Sequence, residues 1–236
     1  MALYLLSIKP ISRNQGRSSV EAAAYRSGEK LYNERQGVIF DFTRKKGIIH
    51  TEILLPENAP PEFSNRETLW NAVEHAEKRR DSRTAREIVL ALPRELTLET
   101  SKALVRKFVS ASFIPLGMCA DICIHAGLNK NTIHIKTEHK KFLPHNPHAH
   151  IMLTDRPVRS EGFCDKKNPD WNSKQYLNQW RECWANLQNE VFIRKGLEIR
   201  ISHESYKKRG IDREPTKHLG PVLMAMERRN INTKLG

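Results

Sequence analysis

Segments with the two-residue period of a β-strand alternate with segments of helical period along this chain, and the alternation limits the available folds. Strands are predicted over 2–9, 37–43, 47–56, 86–93, 117–127 and 147–155. Helices are predicted over 20–32, 66–80, 97–113 and 173–195, with a short one after Pro221. Gly28 is expected to end or bend the first of them. Hairpins and crossovers link these elements. We therefore expect an α/β (α+β) sandwich in which a central, mostly antiparallel sheet is flanked by helices.

The sequence contains no repeat and no low-complexity linker, so we interpret residues 1–236 as a single domain. Its last residues, "NINTKLG", still resemble ordered sequence. We therefore expect the chain to be the N-terminal part of a longer protein.

The chain is strongly basic: 40 Lys and Arg face 27 Asp and Glu, for a formal net charge of +13. A pI near 9.7 and a mean hydropathy of −0.61 indicate a heavily charged surface. Nucleic acid is the commonest polyanionic partner, and the cations are spread over the whole chain rather than gathered in a tail. That spread favours a nucleic-acid-binding face on a folded domain, and an anionic membrane surface is the competing interpretation.

No apolar run is long enough to cross a bilayer, so we expect no membrane insertion. The N-terminal "ALYLLSI" is too short for a signal peptide and lacks a basic start. The four cysteines include no C-x-x-C pair. These features favour the reducing cytoplasm.

Histidines carry the densest chemistry, in "HNPHAHIML". Because side chains alternate along a strand, His148 and His150 would share one face, as half of a three-histidine metal site. His125, at the end of another strand, is the best third ligand, and His145 is the alternative. Neutral imidazoles suit Mn, Ni, Co, Cu or Zn better than Mg, although availability decides between them. An incidental surface pair is the competing interpretation.

Tyr25 lies in "AAAYRSGEKL", between small residues and the cations Arg26 and Lys30. A phenol is a poor nucleophile at neutral pH unless cations or a metal stabilise its phenolate. The small neighbours would let a phosphodiester approach. A tyrosine on a helix is more often a core residue, so this segment alone is a weak signal.

Several of these motifs together resemble the MobA/MobL family of plasmid mobilisation relaxases. They are "YLLSIKPISRNQGRSSVEAAAYRSGEKL", "EIVLALP", "IHAG", "NPHAHIML" and "HLGP", in this order over nearly the whole chain. The resemblance implies an HUH-type endonuclease fold, with Tyr25 as the nucleophile that forms a 5′-phosphotyrosine. It makes His125, His148 and His150 the ligands of a divalent metal ion such as Mn, Mg, Ni, Co or Zn. It also places Glu87 beside them as an orienting or proton-accepting carboxylate.

One departure from the family pattern is the long basic loop 127–146, which adds His134, His139 and His145 and leaves the third ligand open. Tyr32 is a possible second nucleophile, although packing or a DNA contact fits it better.

The function implied is site- and strand-specific nicking and rejoining at a plasmid origin of transfer, for conjugation. The partner is single-stranded or melted DNA, with accessory relaxosome proteins and a coupling protein, and a monomer is the simplest state. The cations first expected at phosphates are Arg13, Arg17, Arg26, Lys30, Arg80 and Arg83, each of which could instead be a solvated residue. A replication initiator of the same chemistry, a plain hydrolytic nuclease and a non-catalytic, zinc-stabilised DNA-binding protein are the alternatives.

Overall fold

The structure is a computed structural model that describes residues 4–127 and 146–214 and four isolated positions beyond them. The chain divides into two units, Met1–Ile201 and Ser202–Gly236. In the second unit the described segment forms bends and turns, closed by a bond from the Ile211 N–H to the Tyr206 carbonyl (2.9 Å). The helix predicted after Pro221 lies almost entirely outside the described residues. Within the described ranges, no helix is long and apolar enough to cross a membrane.

All the strands and helices with defined bounds belong to the first unit. The strands are β1 (Leu6–Ser12), β2 (Lys30–Asn33), β3 (Val38–Asp41), β4 (Ile48–Leu54), β5 (Arg83–Ala91), β6 (Ala120–His125), β7 (His148–Thr154), β8 (Val158–Arg159) and β9 (Gly162–Phe163). The helices are α1 (Ser19–Ser27), α2 (Arg66–Ala76), α3 (Leu98–Ser112) and α4 (Lys174–Arg194).

Five strands form the central sheet in the order β1-β5-β7-β6-β4, and every neighbouring pair is antiparallel. The predicted antiparallel sheet flanked by helices is therefore confirmed. The first strand was expected to close at Pro10, yet β1 continues through it to Ser12. Proline is tolerated there because β1 is an edge strand in which one side needs no ladder hydrogen bond.

Strict alternation along the strands divides the sheet into two faces with different partners. On one face Ile88, Ile122 and Ile151 pack with Phe108 of α3 and Trp184 of α4 in the larger apolar core. The opposite face contributes Met152 to a second core, in which α1 and α2 take part. His148 and His150 have the same parity as Met152, so they belong to the face that α1 and α2 cover.

One helix ends at the glycine expected to end or bend it, and the next ends earlier than its sequence pattern predicts. The first helix stops at Ser27, because Gly28 adopts a left-handed conformation (φ 70°) and caps the helix by bonding to the Ala24 carbonyl. The predicted 66–80 helix stops at Ala76. The side chain of Arg13, distant in the sequence, donates to the Glu74 carbonyl in the last turn, to the carbonyl of the capping residue Glu77 and to that of Arg79 beyond the helix.

The N-terminus of α1 is anchored by Glu74 of α2, which is buried. This carboxylate accepts hydrogen bonds from the backbone N–H (2.8 Å) and hydroxyl (2.7 Å) of Ser19. It also forms an ion pair with the buried Arg13 at 2.7 Å. Desolvation raises the pKa of Glu74, but the bonds from Ser19 and Arg13 outweigh it, so the pKa lies below its ordinary value. The position of α1 therefore depends on an ionised carboxylate.

We expect Glu74→Gln to lower the free energy of unfolding at pH 7 by about 3 kcal/mol, because it leaves Arg13 buried without its counterion. The ionised carboxylate stabilises the fold fully above its unfolded pKa, and that stabilisation is lost as pH falls through the lower folded pKa. The difference in the free energy of unfolding between wild type and Glu74→Gln should therefore shrink as the pH is lowered from 6 to 3. Urea unfolding at several pH values measures it.

Glu190→Gln is the matched control, because Glu190 pairs with Lys107 on the surface, where both side chains are more than half exposed. Glu190→Gln should lower the free energy of unfolding far less than Glu74→Gln does. An equal loss in both variants, or a Glu74→Gln deficit that is independent of pH, would contradict the anchoring role.

Candidate active site

Two adjacent strands bring the three predicted histidines together. In the antiparallel pairing of β6 with β7, His125 lies opposite His148, and Cys123 lies opposite His150. The ring centroids are 4.8–5.3 Å apart, and one ring nitrogen from each histidine lies within 4.8 Å of the other two. His145, the alternative third ligand, lies outside the described residues.

Each imidazole is held through one nitrogen by an acceptor. His125 Nε2 lies 2.8 Å from the Arg26 carbonyl oxygen, and His148 Nδ1 lies 2.8 Å from the Asn146 carbonyl oxygen. His150 Nδ1 lies 2.7 Å from Oε1 of Glu87. Carbonyl and carboxylate oxygens only accept, so the nitrogens facing them carry the hydrogen. The other three nitrogens keep free lone pairs, and these are the atoms that a metal ion requires.

The surroundings keep two of the histidines neutral. Burial lowers the pKa of His125 to about 3, against a smaller raising effect from its bond to the Arg26 carbonyl. Burial also lowers the pKa of His148 below its ordinary value. Neutral imidazoles are the form that binds metals, so the donor set fits a divalent ion.

Glu87 on β5 joins the histidine cluster to α1. Its Oε1 accepts from His150 and, at 2.5 Å, from Nε of the buried Arg26. Burial raises the pKa of Glu87, but the bonds from His150 and Arg26 outweigh it and bring the pKa to about 2. A carboxylate with so low a pKa is a weak base. The geometry therefore favours the orienting role predicted for Glu87 over the proton-accepting one.

Tyr25 lies near the end of α1 and is 50% exposed. Its ring meets the Phe42 ring edge-on, with centroids 5.2 Å apart. The next residue, Arg26, gives its carbonyl to His125 and its guanidinium to Glu87. The tyrosine is thus accessible to a large substrate, while the backbone beside it is fixed to the histidine cluster.

Lys45 is the residue that sequence reasoning did not single out. Its Nζ lies 3.6 Å from the centroid of the Tyr25 ring and donates to the Tyr25 carbonyl at 2.6 Å. In the sequence it is one of three successive cations in "TRKKG", which resembles an ordinary solvated turn. Only the packing of the 42–47 segment against α1 distinguishes it from Arg44 and Lys46.

The six cations predicted to contact DNA fall into two groups. Arg13, Arg26 and Arg83 pair with protein carboxylates: Glu74, Glu87 and Asp155 respectively. Arg17, Lys30 and Arg80 remain partly or fully exposed, and Arg17 lies 3.9 Å from Glu87. Arg13 and Arg26 have their donors satisfied inside the protein and fix the fold. Lys30 and Arg80 are exposed, and the side chains of Arg17 and Arg83 are 35% and 32% exposed, so these four are the better candidates for phosphate contacts.

Tyr32, predicted as a possible second nucleophile, lies on β2 opposite Ile39 of β3 rather than on a continued helix. Its backbone N–H donates to Glu67, and its carbonyl accepts from Asn71, both on α2. The ring is exposed. It belongs to the hairpin that follows α1.

These features define a class of protein: an antiparallel α/β domain with a three-histidine cluster beside a surface tyrosine. The chain belongs to the MobA/MobL family, whose model matches residues 17–229. This match confirms the resemblance inferred from the motifs.

Curated relatives and a solved structure agree with this assignment. The mobilization protein MobL of Acidithiobacillus ferridurans is 38% identical over 97% of this chain and 65% of its own length. The conjugal transfer protein TraA of Agrobacterium fabrum is 36% identical over 97% of this chain, which spans 22% of it. A solved structure described as "Molecular Basis of Vancomycin Resistance Transfer in Staphylococcus aureus" is 32% identical, with a TM-score of 0.74, over 87% of this chain and 100% of that one. The chain thus spans less than two-thirds of the length of each of these curated relatives.

We expect metal-free protein at pH 7.5 to contain His125 as the Nε2–H tautomer and His148 and His150 as Nδ1–H tautomers. The reason is that each of these nitrogens faces an oxygen that only accepts. Long-range ¹H–¹⁵N spectra of labelled protein report the tautomers directly. The opposite tautomer at any of the three would contradict the assignment of the free nitrogens.

Proposed function

We propose that this protein is a relaxase-type DNA strand transferase. It nicks one strand at a plasmid origin of transfer, stays attached through Tyr25, and can rejoin the strand, in support of conjugative transfer. One observation carries the proposal: the exposed Tyr25 precedes Arg26, which bonds both to His125 of the histidine cluster and to Glu87. Membership of the MobA/MobL family supports it.

The substrate is single-stranded or locally melted DNA. The formal charge of +13 attracts a polyanion, and Arg17, Lys30 and Arg80 present cations at the surface for phosphates. These contacts position the strand without reading its sequence. Arg26 acts from inside the protein, since its pairing with Glu87 holds the helix that bears Tyr25.

A divalent metal ion (Mn, Mg, Ni, Co or Zn) fits the cluster of His125, His148 and His150, in which one ring nitrogen of each lies within 4.8 Å of the other two. When bound, it supplies a Lewis acid for the non-bridging oxygens of the scissile phosphate. A structural zinc normally has four protein ligands, whereas the described residues place three histidines together. The site thus suits catalysis better than a purely structural role.

In the reaction, the Tyr25 oxygen attacks phosphorus in line with the leaving 3′ oxygen. The new bond joins the phenol oxygen to phosphorus, and the bond to the 3′ oxygen breaks. The phenol proton passes to solvent, which reaches the half-exposed ring, and the 3′ oxygen takes a proton from water. One phosphodiester replaces another, so the 3′-OH can reverse the step without ATP. Glu87 keeps the His150 ring oriented throughout.

The full protein acts in the cytoplasm with accessory relaxosome proteins and a coupling protein. We propose that this segment is its N-terminal relaxase domain; the curated relatives, of which it spans 65% and 22%, are longer proteins. One copy suffices for one strand, because Tyr25, the histidines and Glu87 all come from the same chain.

Tyr25→Phe should abolish covalent attachment to a labelled single strand carrying the plasmid's transfer origin, in the presence of Mn²⁺. The physical reason is that phenylalanine lacks the attacking oxygen and preserves the ring contact with Phe42. A denaturing gel, with and without protease, separates the adduct from free ends.

Tyr32→Phe is the matched control, since Tyr32 is a nearby exposed tyrosine on the hairpin, and it should retain the adduct. Cleavage that survives in Tyr25→Phe and yields free ends would show hydrolysis instead of strand transfer. Loss of the adduct only in Tyr32→Phe would reassign the nucleophile.

Metal binding should depend on the orienting carboxylate as well as on the ligands. Glu87→Ala frees the His150 ring to rotate, so we expect Mn²⁺ affinity to fall about 10- to 100-fold. His148→Ala removes a ligand and should weaken binding further. Isothermal titration calorimetry with Mn²⁺ measures both.

His75→Ala is the control variant, because His75 is exposed and pairs with Glu34 on the surface, and its Mn²⁺ affinity should match that of wild type. Equal affinities in all the variants would show that the ion binds elsewhere.

A further inference from the structure

Three contacts hold Lys45 against the helix end that carries Tyr25. Its Nζ donates to the Tyr25 carbonyl at 2.6 Å and lies over the Tyr25 ring, 3.6 Å from the centroid. Its backbone N–H bonds to the Phe42 carbonyl at 2.8 Å, in a turn whose Phe42 ring also contacts Tyr25. Two residues later, Gly47 accepts from Ala126, directly after the histidine strand (2.8 Å). Lys45 is therefore fixed between the tyrosine and the end of β6.

We propose that Lys45 is a catalytic cation of strand transfer, which holds the Tyr25 ring and stabilises the negative charge that its oxygen develops during attack. This inference rests on the proposed function. An ammonium over an aromatic ring is attracted to its π face. The attraction grows when the phenol loses its proton, because the phenolate ring carries more electron density. The contact is thus stronger in the transition state than in the resting enzyme, as catalysis requires.

The phenol proton leaves to solvent, the bond from the phenol oxygen to phosphorus forms, and the 3′ oxygen departs and is protonated by water. Lys45 neither gives nor takes a proton in this sequence. The positive charge of Lys45 first offsets the negative charge that develops on the phenol oxygen. Once the bond to phosphorus has formed, the Lys45 ammonium faces the phosphate joined to the same ring.

The titratable groups around Lys45 are Arg26, Glu87, Cys123, His125 and His148. Of these, Arg26 and Glu87 carry a charge, whereas burial keeps the Cys123 thiol and the imidazoles of His125 and His148 neutral. Burial, with the nearby Arg26, lowers the pKa of Lys45 to about 8, although Cys123 and Glu87 act in the opposite direction. The ammonium is therefore the main form at pH 7 and is lost as pH rises through about 8. Arginine keeps its charge over this whole range.

The test compares Lys45→Met, Lys45→Arg and the control Lys46→Met in single-turnover adduct formation with an excess of labelled single-stranded transfer-origin DNA and Mn²⁺, from pH 6 to pH 9.5. We expect Lys45→Met to slow adduct formation about 100-fold, as loss of one preorganised charge-stabilising group does. Its DNA affinity should stay within about threefold of wild type, because one cation is a small part of the total phosphate contact.

Lys45→Arg should recover most of the rate and extend activity above pH 8, where the wild type loses the charge of Lys45 and arginine keeps its own. Lys46→Met should match wild type, since the described structure gives its side chain no hydrogen bond or ion pair. Circular dichroism melting of all three variants reports whether the fold is intact.

Two results would overturn the role of Lys45: a wild-type rate in folded Lys45→Met, or equal impairment of folded Lys45→Met and Lys45→Arg with an unchanged pH profile. A variant that fails to fold leaves the decision to the pH profile of Lys45→Arg. Wild-type protein that forms no adduct at all would overturn the strand-transfer function, and the role of Lys45 with it.

Discussion

The carboxylate of Glu87 connects the two halves of the candidate site. It lies on a central strand, accepts from His150 on the adjacent strand, and pairs with Arg26 on the helix of Tyr25. Removing it would leave a buried guanidinium without a counterion and an imidazole free to turn. The Arg26 carbonyl extends the connection to His125, so a displacement of α1 would move a histidine partner and the tyrosine together.

The face of the sheet that holds the site is bound to α1 and α2 by charged hydrogen bonds as well as by apolar contacts. Asp121 on β6 receives two bonds of 2.8 Å from Arg66 and one of 2.9 Å from the Trp70 indole. Apolar burial is non-directional, whereas bidentate pairs fix orientation. The opposite face is an apolar core against α3 and α4, and it supplies the rigid support. This division lets one face carry polar chemistry without loss of the fold.

The arginines illustrate what local sequence leaves undecided. Arg13 and Arg17 lie four residues apart in the same polar segment, and both were expected at DNA phosphates. Arg13 is buried and caps the end of α2 with its guanidinium, while Arg17 remains at the surface. Lys45 resembled its neighbours in a basic turn, yet it packs on Tyr25. The hydrogen-bond partners of Arg13 lie 61 to 66 residues away in the chain, and the carbonyl that Lys45 contacts lies 20 residues away, beyond the reach of a local pattern.

Periodicity by itself determined most of the strands and helices and the shared face of His148 and His150, because side-chain direction within a strand or helix is a local property. The basic composition indicated a polyanionic partner, and the motifs indicated the family. The pairing of β6 with β7, the early end of α2, and the positions of Glu87 and Lys45 were decided by tertiary structure. These depend on hydrogen bonds and ion pairs between residues that meet only when the sheet forms, and their energies exceed local preference.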